Sequence, residues 1–129
     1  MSLDALRYQV EYVDIDASGV MHFSRYTSLM ETAIFKKIEL ADFNAAECDL
    51  MVVNLKVRYH HPAQYGDILI FDVDTLNIGF ASLLFEIKIK NNQGILLAEG
   101  HLNFGCVDLN THKPVQIPPE INQLLQPNK

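Results

Sequence analysis

One change of hydrophobic period constrains this chain more than anything else in it. Tyr26, Leu29, Met30, Ala33, Ile34, Lys37 and Ile38 recur at the spacing that places side chains on one face of an α-helix. All but Lys37 are apolar or aromatic, so the helix is made to lie against a core. After a loop around Ala41–Asp49 the period becomes two and stays there. Val53, Leu55, Val57 and Tyr59 alternate with Asn54, Lys56 and Arg58; Leu83, Phe85, Ile87 and Ile89 stand opposite Ser82, Glu86, Lys88 and Lys90. Pro62 and Gly66 in "HHPAQYGD" break the first of these strands, Asp67–Leu76 reads as the next, and Asn77-Ile78-Gly79 marks its turn. Asn91-Asn92-Gln93-Gly94 tolerates positive φ and predicts a hairpin into "ILLAEGHLNFGCVDL".

Ahead of the helix, Arg7–Val13 alternates as a first strand, and near the end Pro118-Pro119 precedes a short helix over Glu120–Leu125. The predicted order is strand, one long helix, then four strands joined by hairpin-like turns. That segregation implies an α+β fold with an antiparallel sheet packed on the helix. No repeat or linker interrupts it, so residues 1–129 read as one domain. A single helix covers one face and leaves sheet edges exposed, which pairing with a second copy would remedy.

Ten Lys and Arg against sixteen Asp and Glu give a net charge of −6, which opposes phosphate-rich partners and excludes nucleic acid as an expected ligand. No apolar run approaches the roughly 18 residues of a membrane span and no N-terminal signal pattern is present, so a cytoplasmic protein with no membrane partner is expected. Cys48 and Cys106 lack CxxC spacing and read as buried thiols.

The connection into the helix, "YVDIDASGVMHFSRY" from Tyr12 to Tyr26, gathers two carboxylates, a glycine and a histidine. Ser24 is the candidate N-cap, which starts the helix near Phe23 or Ser24. Through Asp14, Asp16, Gly19, Val20, His22, Phe23 and Tyr26 the sequence resembles the hot-dog fold acyl-CoA thioesterases of the 4-hydroxybenzoyl-CoA thioesterase-like branch. "VRYHHPAQYGDIL" and "DLNTHKPVQIP" extend the likeness over nearly the whole chain. The resemblance implies a hot-dog fold, an antiparallel sheet wrapped around one long central helix. It also implies a homodimer or homotetramer with active sites at the subunit interface, and no metal, cofactor or prosthetic group. By the same resemblance the working carboxylate is Asp16, and the backbone amide that polarises the thioester carbonyl is that of Phe23.

The chemistry agrees with that assignment on its own terms. A thioester needs a nucleophile, or a base that makes one from water, and donors aimed at the oxygen that becomes negative. A helix N-terminus supplies free N–H groups and a partial positive charge. Gly19 permits the tight path that returns Asp16 beside that terminus. Asp16 then either activates water or attacks the thioester to give an acyl anhydride. Gly19, Val20, His22, Tyr26 and Arg58 are the substrate-binding candidates. Asp14 and Asp67 read as turn carboxylates. His60 and His61 point to opposite faces of a strand, so with His22 they make no metal set.

In the best-known members of the branch this sequence resembles, a basic cluster before the strand matching Ala81–Asn91 helps hold the nucleotide phosphates of coenzyme A. Here Asn77–Ala81 is uncharged, and acyl-CoA and acyl carrier protein thioesters both stay open as substrates. Two other functions stay open. One is a non-catalytic acyl-thioester-binding module. The other is a hot-dog dehydratase, for which "HFSRY" has the histidine but no Pro-Gly, with Glu31 as the helical acid.

Overall fold

A computed structural model describes residues 3–39 and 48–126. In chain order these form β1 (Leu3–Gln9), a 3-10 turn (Tyr12–Asp14), α1 (Phe23–Ile38), β2 (Cys48–Tyr59), β3 (Ile68–Ile78), β4 (Ser82–Asn91), β5 (Leu96–Asp108) and α2 (Pro119–Leu124). The predicted order of elements holds, and three local expectations need correction. First, β1 stops at Gln9 rather than Val13, because the Glu11 and Asp14 amides and acceptors close a tight turn on each other. Tyr12 and Val13 are left 81% and 80% exposed, so their alternation has no buried face behind it. Second, α1 is capped by the backbone of His22, and Ser24 lies inside its first turn. The loop around 41–49 falls mostly outside the described residues, and Cys48 and Asp49 already belong to β2.

The third correction is topological. All pairings are antiparallel, and the strand order is β1-β3-β4-β5-β2. The β3–β4 and β4–β5 connections are hairpins, but β2 pairs with β5 at one edge and not with β3. Residues 60–67 therefore carry the chain from one edge of the sheet to the strand beside the other edge. A register shift between Val52 and Asn54 also breaks the even alternation of β2. It turns Val53 outward over Gly105, at 68% exposure, while Leu55, Val57 and Tyr59 stay in register with Leu102, Gly100 and Ala98 on the α1 side.

The core lies between α1 and the inner face of the sheet. Tyr26, Leu29, Met30, Ala33, Ile34 and Ile38 are buried on the helix; Leu83, Phe85, Ile87 and Ile89 are buried on β4. Each large side chain buried this way contributes about 1.5–3 kcal/mol of transfer free energy. Phe35 of α1 meets Phe104 of β5 edge-on, with ring centroids 5.6 Å apart. Gly100 on β5 makes room for Met30: a Cβ there would stand 2.9 Å from the Met30 sulfur. Lys37, the exception on the apolar face, donates from Nζ to the Val73 carbonyl at 3.0 Å. Burial pushes its pKa down, and nearby Asp74 opposes that shift. Ile121 and Leu125 close the end of the core beside α2. Among the described residues no helix is long and apolar enough to cross a membrane.

Candidate active site

Residues 14–22 fold back on themselves as a small hairpin. The Asp14 carbonyl accepts the His22 N–H (2.9 Å), Ile15 bridges Met21, and the Asp16 N–H donates to the Val20 carbonyl (2.9 Å). Gly19, at φ +84°, makes the reversal and donates to the Asp16 carbonyl at 3.0 Å. The returning arm is held from its other side by Val20 bridging Gln64 and by the Met21 N–H donating to the Ala63 carbonyl at 2.8 Å. Extended pairing holds both sides of the arm at Val20 and Met21 and one side through His22, and the helix begins at Phe23.

At the base of the hairpin, Asp14 is 1% exposed and fully engaged. Its carboxylate accepts the Tyr8 hydroxyl (2.6 Å), the Glu11 N–H (2.8 Å) and Arg25 Nε (2.8 Å). Burial alone would raise its pKa. Those hydrogen bonds and the guanidinium charge outweigh burial and hold the carboxyl below the usual aspartate range. At the tip, Asp16 is half-buried, and its Oδ1 accepts the Ser18 N–H at 2.8 Å and the Val20 N–H at 3.5 Å. No hydrogen bond reaches its Oδ2 among the described residues.

Beyond His22 the first turn of α1 has no side-chain cap and no acidic residue. Its leading N–H groups have no acceptor within the helix, as at any helix start. An open cleft of about 230 Å³ lies beside that turn, lined by Met21, Phe23, Tyr26, Tyr59, His60, His61 and Pro62. The Tyr59 hydroxyl donates to the Phe23 carbonyl at 3.1 Å, and the Tyr59 ring meets Tyr26 edge-on at 5.1 Å. Tyr26 in turn accepts the Ala63 N–H at 3.0 Å, which fixes the wall of the cleft to the segment after β2. Two cavities of about 310 and 300 Å³ share Cys48 on their linings, the second of them beside Ile38 and Glu39 at the far end of α1 from this turn. Among the described residues no three His, Cys, Asp or Glu side chains are grouped to hold a metal.

Of the residues singled out from the sequence, Phe23 and Tyr26 line the cleft, while Asp16, Gly19, Val20 and His22 lie on the hairpin that leads into the same helical turn and are not among the lining residues. Arg58 stands apart: it is in register with Glu99, on the face of the sheet away from α1. Residues 10–125 match the family model of the thioesterase-like superfamily. The chain belongs to that superfamily. The matched span contains the hairpin, the cleft and every strand but β1. Among curated relatives, the acyl-CoA thioesterase YbgC of Haemophilus influenzae is 28% identical over 119 residues, covering 88% of this chain and 87% of the relative. The long-chain acyl-CoA thioesterase FadM of Escherichia coli is 27% identical over 118 residues, covering 87% and 89%. The solved structure of Slr0204, a 1,4-dihydroxy-2-naphthoyl-CoA thioesterase from Synechocystis, superposes with a TM-score of 0.85 at 18% identity, over 93% of each chain. The fold is the α+β hot-dog fold of this superfamily.

Sequence reasoning passed over Met21, Tyr59, His60, His61 and Pro62 as cleft residues. Tyr59 was within reach, because it shares the inner face of β2 with Val57 and lies in the "VRYHHPAQYGDIL" stretch. Met21 carries no signal beyond being apolar; its place follows from pairing with Ile15.

Proposed function

We propose that the chain is a single hot-dog domain that hydrolyses acyl-CoA thioesters to a free acid and a thiol. The observation that carries this reading is the hairpin of residues 14–22, which carries Asp16 and runs directly into a helix start that has no side-chain cap and borders an open, largely apolar cleft. Asp16 acts as base or nucleophile, and the Phe23 amide stabilises the oxygen that becomes negative. The Tyr26 and Tyr59 rings supply an apolar wall for the acyl group. The names of the curated relatives support coenzyme A as the thiol carrier.

The working form is a homodimer or homotetramer. β2 is an edge strand of 12 residues whose Met51, Val53, Leu55 and Tyr59 are 43–68% exposed. An edge of that length with that much apolar surface favours pairing with a second copy, which would close the cleft at the interface. Thiol release from short, medium, long and aromatic acyl-CoAs, measured for the wild type beside Asp16→Asn, tests the reading. Turnover of at least one acyl class that collapses in the folded variant is expected. Binding without thiol release would overturn hydrolysis in favour of a binding module.

A further inference from the structure

We propose that Tyr8, Asp14 and Arg25 form a positioning clamp that fixes the hairpin tip carrying Asp16 against the first turn of α1. None of the three takes part in the chemistry. The inference rests on the proposed hydrolysis at Asp16 and Phe23 and concerns what holds those two groups in register. The clamp ties together three elements: Tyr8 belongs to β1, Asp14 ends the 3-10 turn and Arg25 lies in the first turn of α1. Asp14 is two residues before Asp16, and Arg25 is two residues after Phe23, so one ion pair at 2.8 Å joins the flanks of both groups. The Asp14 carbonyl, bonded to the His22 N–H, adds a second link across the same gap.

The geometry is over-determined. Arg25 donates from Nε to Asp14 Oδ1, from Nη1 to Ser28 Oγ (3.2 Å) and from Nη2 to the Tyr8 hydroxyl (3.4 Å). Its guanidinium carbon also sits 5.9 Å from the centre of the Tyr8 ring. Tyr8 spends its own proton on Asp14 Oδ2 at 2.6 Å. An ion pair with only one partner buried is a weak source of stability, since solvent screens the exposed charge and apolar residues of like volume often hold a fold as well. It is an effective source of orientation, because each partner's donors and acceptors fix direction as well as distance. The shifts agree with a network that keeps its charges near neutral pH. The hydrogen bond with Tyr8 is the largest influence raising Arg25, while burial and then the bond to Asp14 raise Tyr8.

The decisive experiment is steady-state kinetics on an acyl-CoA for Tyr8→Phe, Arg25→Gln, Arg25→Ala and Asp16→Asn, with a urea titration of each. Tyr8→Phe deletes one hydroxyl and keeps the ring, so it separates positioning from loss of the fold. With a displaced tip, kcat falls about 10-fold to 100-fold in Tyr8→Phe and Arg25→Gln while KM stays within about twofold. Added millimolar guanidinium restores part of kcat to Arg25→Ala and none to Asp16→Asn. Variants that lose stability yet keep the wild-type kcat, with no guanidinium rescue, would overturn the clamp and leave the function standing. Full turnover in Asp16→Asn, or no thiol release by the wild type, would overturn the functional reading and the clamp with it.

Discussion

The base and the tip of the residue 14–22 hairpin carry the same side chain and use it in opposite ways. At the base, both oxygens of Asp14 are taken up by donors from β1, the 3-10 turn and α1, and the group is almost fully buried. At the tip, Asp16 offers one oxygen to amides of its own turn, and no hydrogen bond reaches the other among the described residues. A carboxylate surrounded by fixed donors from distant segments holds those segments together. A carboxylate held only through its own turn has an oxygen left for a water or a carbonyl carbon. Two residues of chain separate a carboxylate engaged through both oxygens from the one proposed to act on the thioester, and the difference lies in the donors around each.

Exchanging each aspartate for asparagine should pull that comparison apart most sharply. In Asp16→Asn thiol release falls about 10³-fold, while urea unfolding stays within about 0.5 kcal/mol because the amide oxygen still accepts the turn N–H groups. Asp14→Asn shows the reverse order of effects. It leaves a guanidinium that is 37% exposed without its counter-charge, and unfolding loses about 2 kcal/mol. The comparison also has a pH axis. The folded Asp14 carboxyl titrates below its unfolded counterpart, so its contribution is complete above about pH 4 and is lost as pH falls through the folded value. Urea midpoints measured from about pH 5 down to about pH 2.5 should fall more steeply for the wild type than for Asp14→Asn. Equal slopes would contradict the assignment of Asp14 as the tightly held carboxylate.

Smaller changes probe the tip from either side. Gly19→Ala meets nothing within 4 Å, so its cost is purely the strain of a side chain at φ +84°, about 1 kcal/mol. Its activity should fall by more than that stability loss explains, since the turn carries Asp16. Tyr59→Phe removes the hydrogen bond to the Phe23 carbonyl, costs about 0.5 kcal/mol and lowers kcat a few-fold. An unchanged kcat would show that the first turn of α1 holds its place without help from β2.

The parts of the fold legible in the sequence were those whose partners are generic. β4 reads as a strand because any apolar layer buries Leu83, Phe85, Ile87 and Ile89, and α1 reads as a helix for the same reason. Features set by a specific distant partner were not legible. The end of β1 depends on Asp14 reaching Glu11 and Tyr8, and the absence of a Ser24 cap depends on His22 pairing with Asp14. The bulge at Val52–Asn54 hides inside a run of apolar residues that suits either register, and the pairing of β2 with β5 reverses the assumption that neighbours in sequence pair in space. At the site, the segment from Asp16 to Tyr26 could be read because its members are close in sequence. Tyr59 and Met21 join it only through the fold.

Gly100 has a consequence for how the sequence can drift. Met30 is fully buried and its sulfur lies 2.9 Å from where a Cβ at position 100 would stand, so a side chain at position 100 requires the end of Met30 to move or to shorten. Among relatives that diverge from this chain, a side chain at position 100 should appear together with a shorter residue at position 30. The helix and the central strands would then evolve as a matched pair, with one methionine and one glycine keeping the account between them.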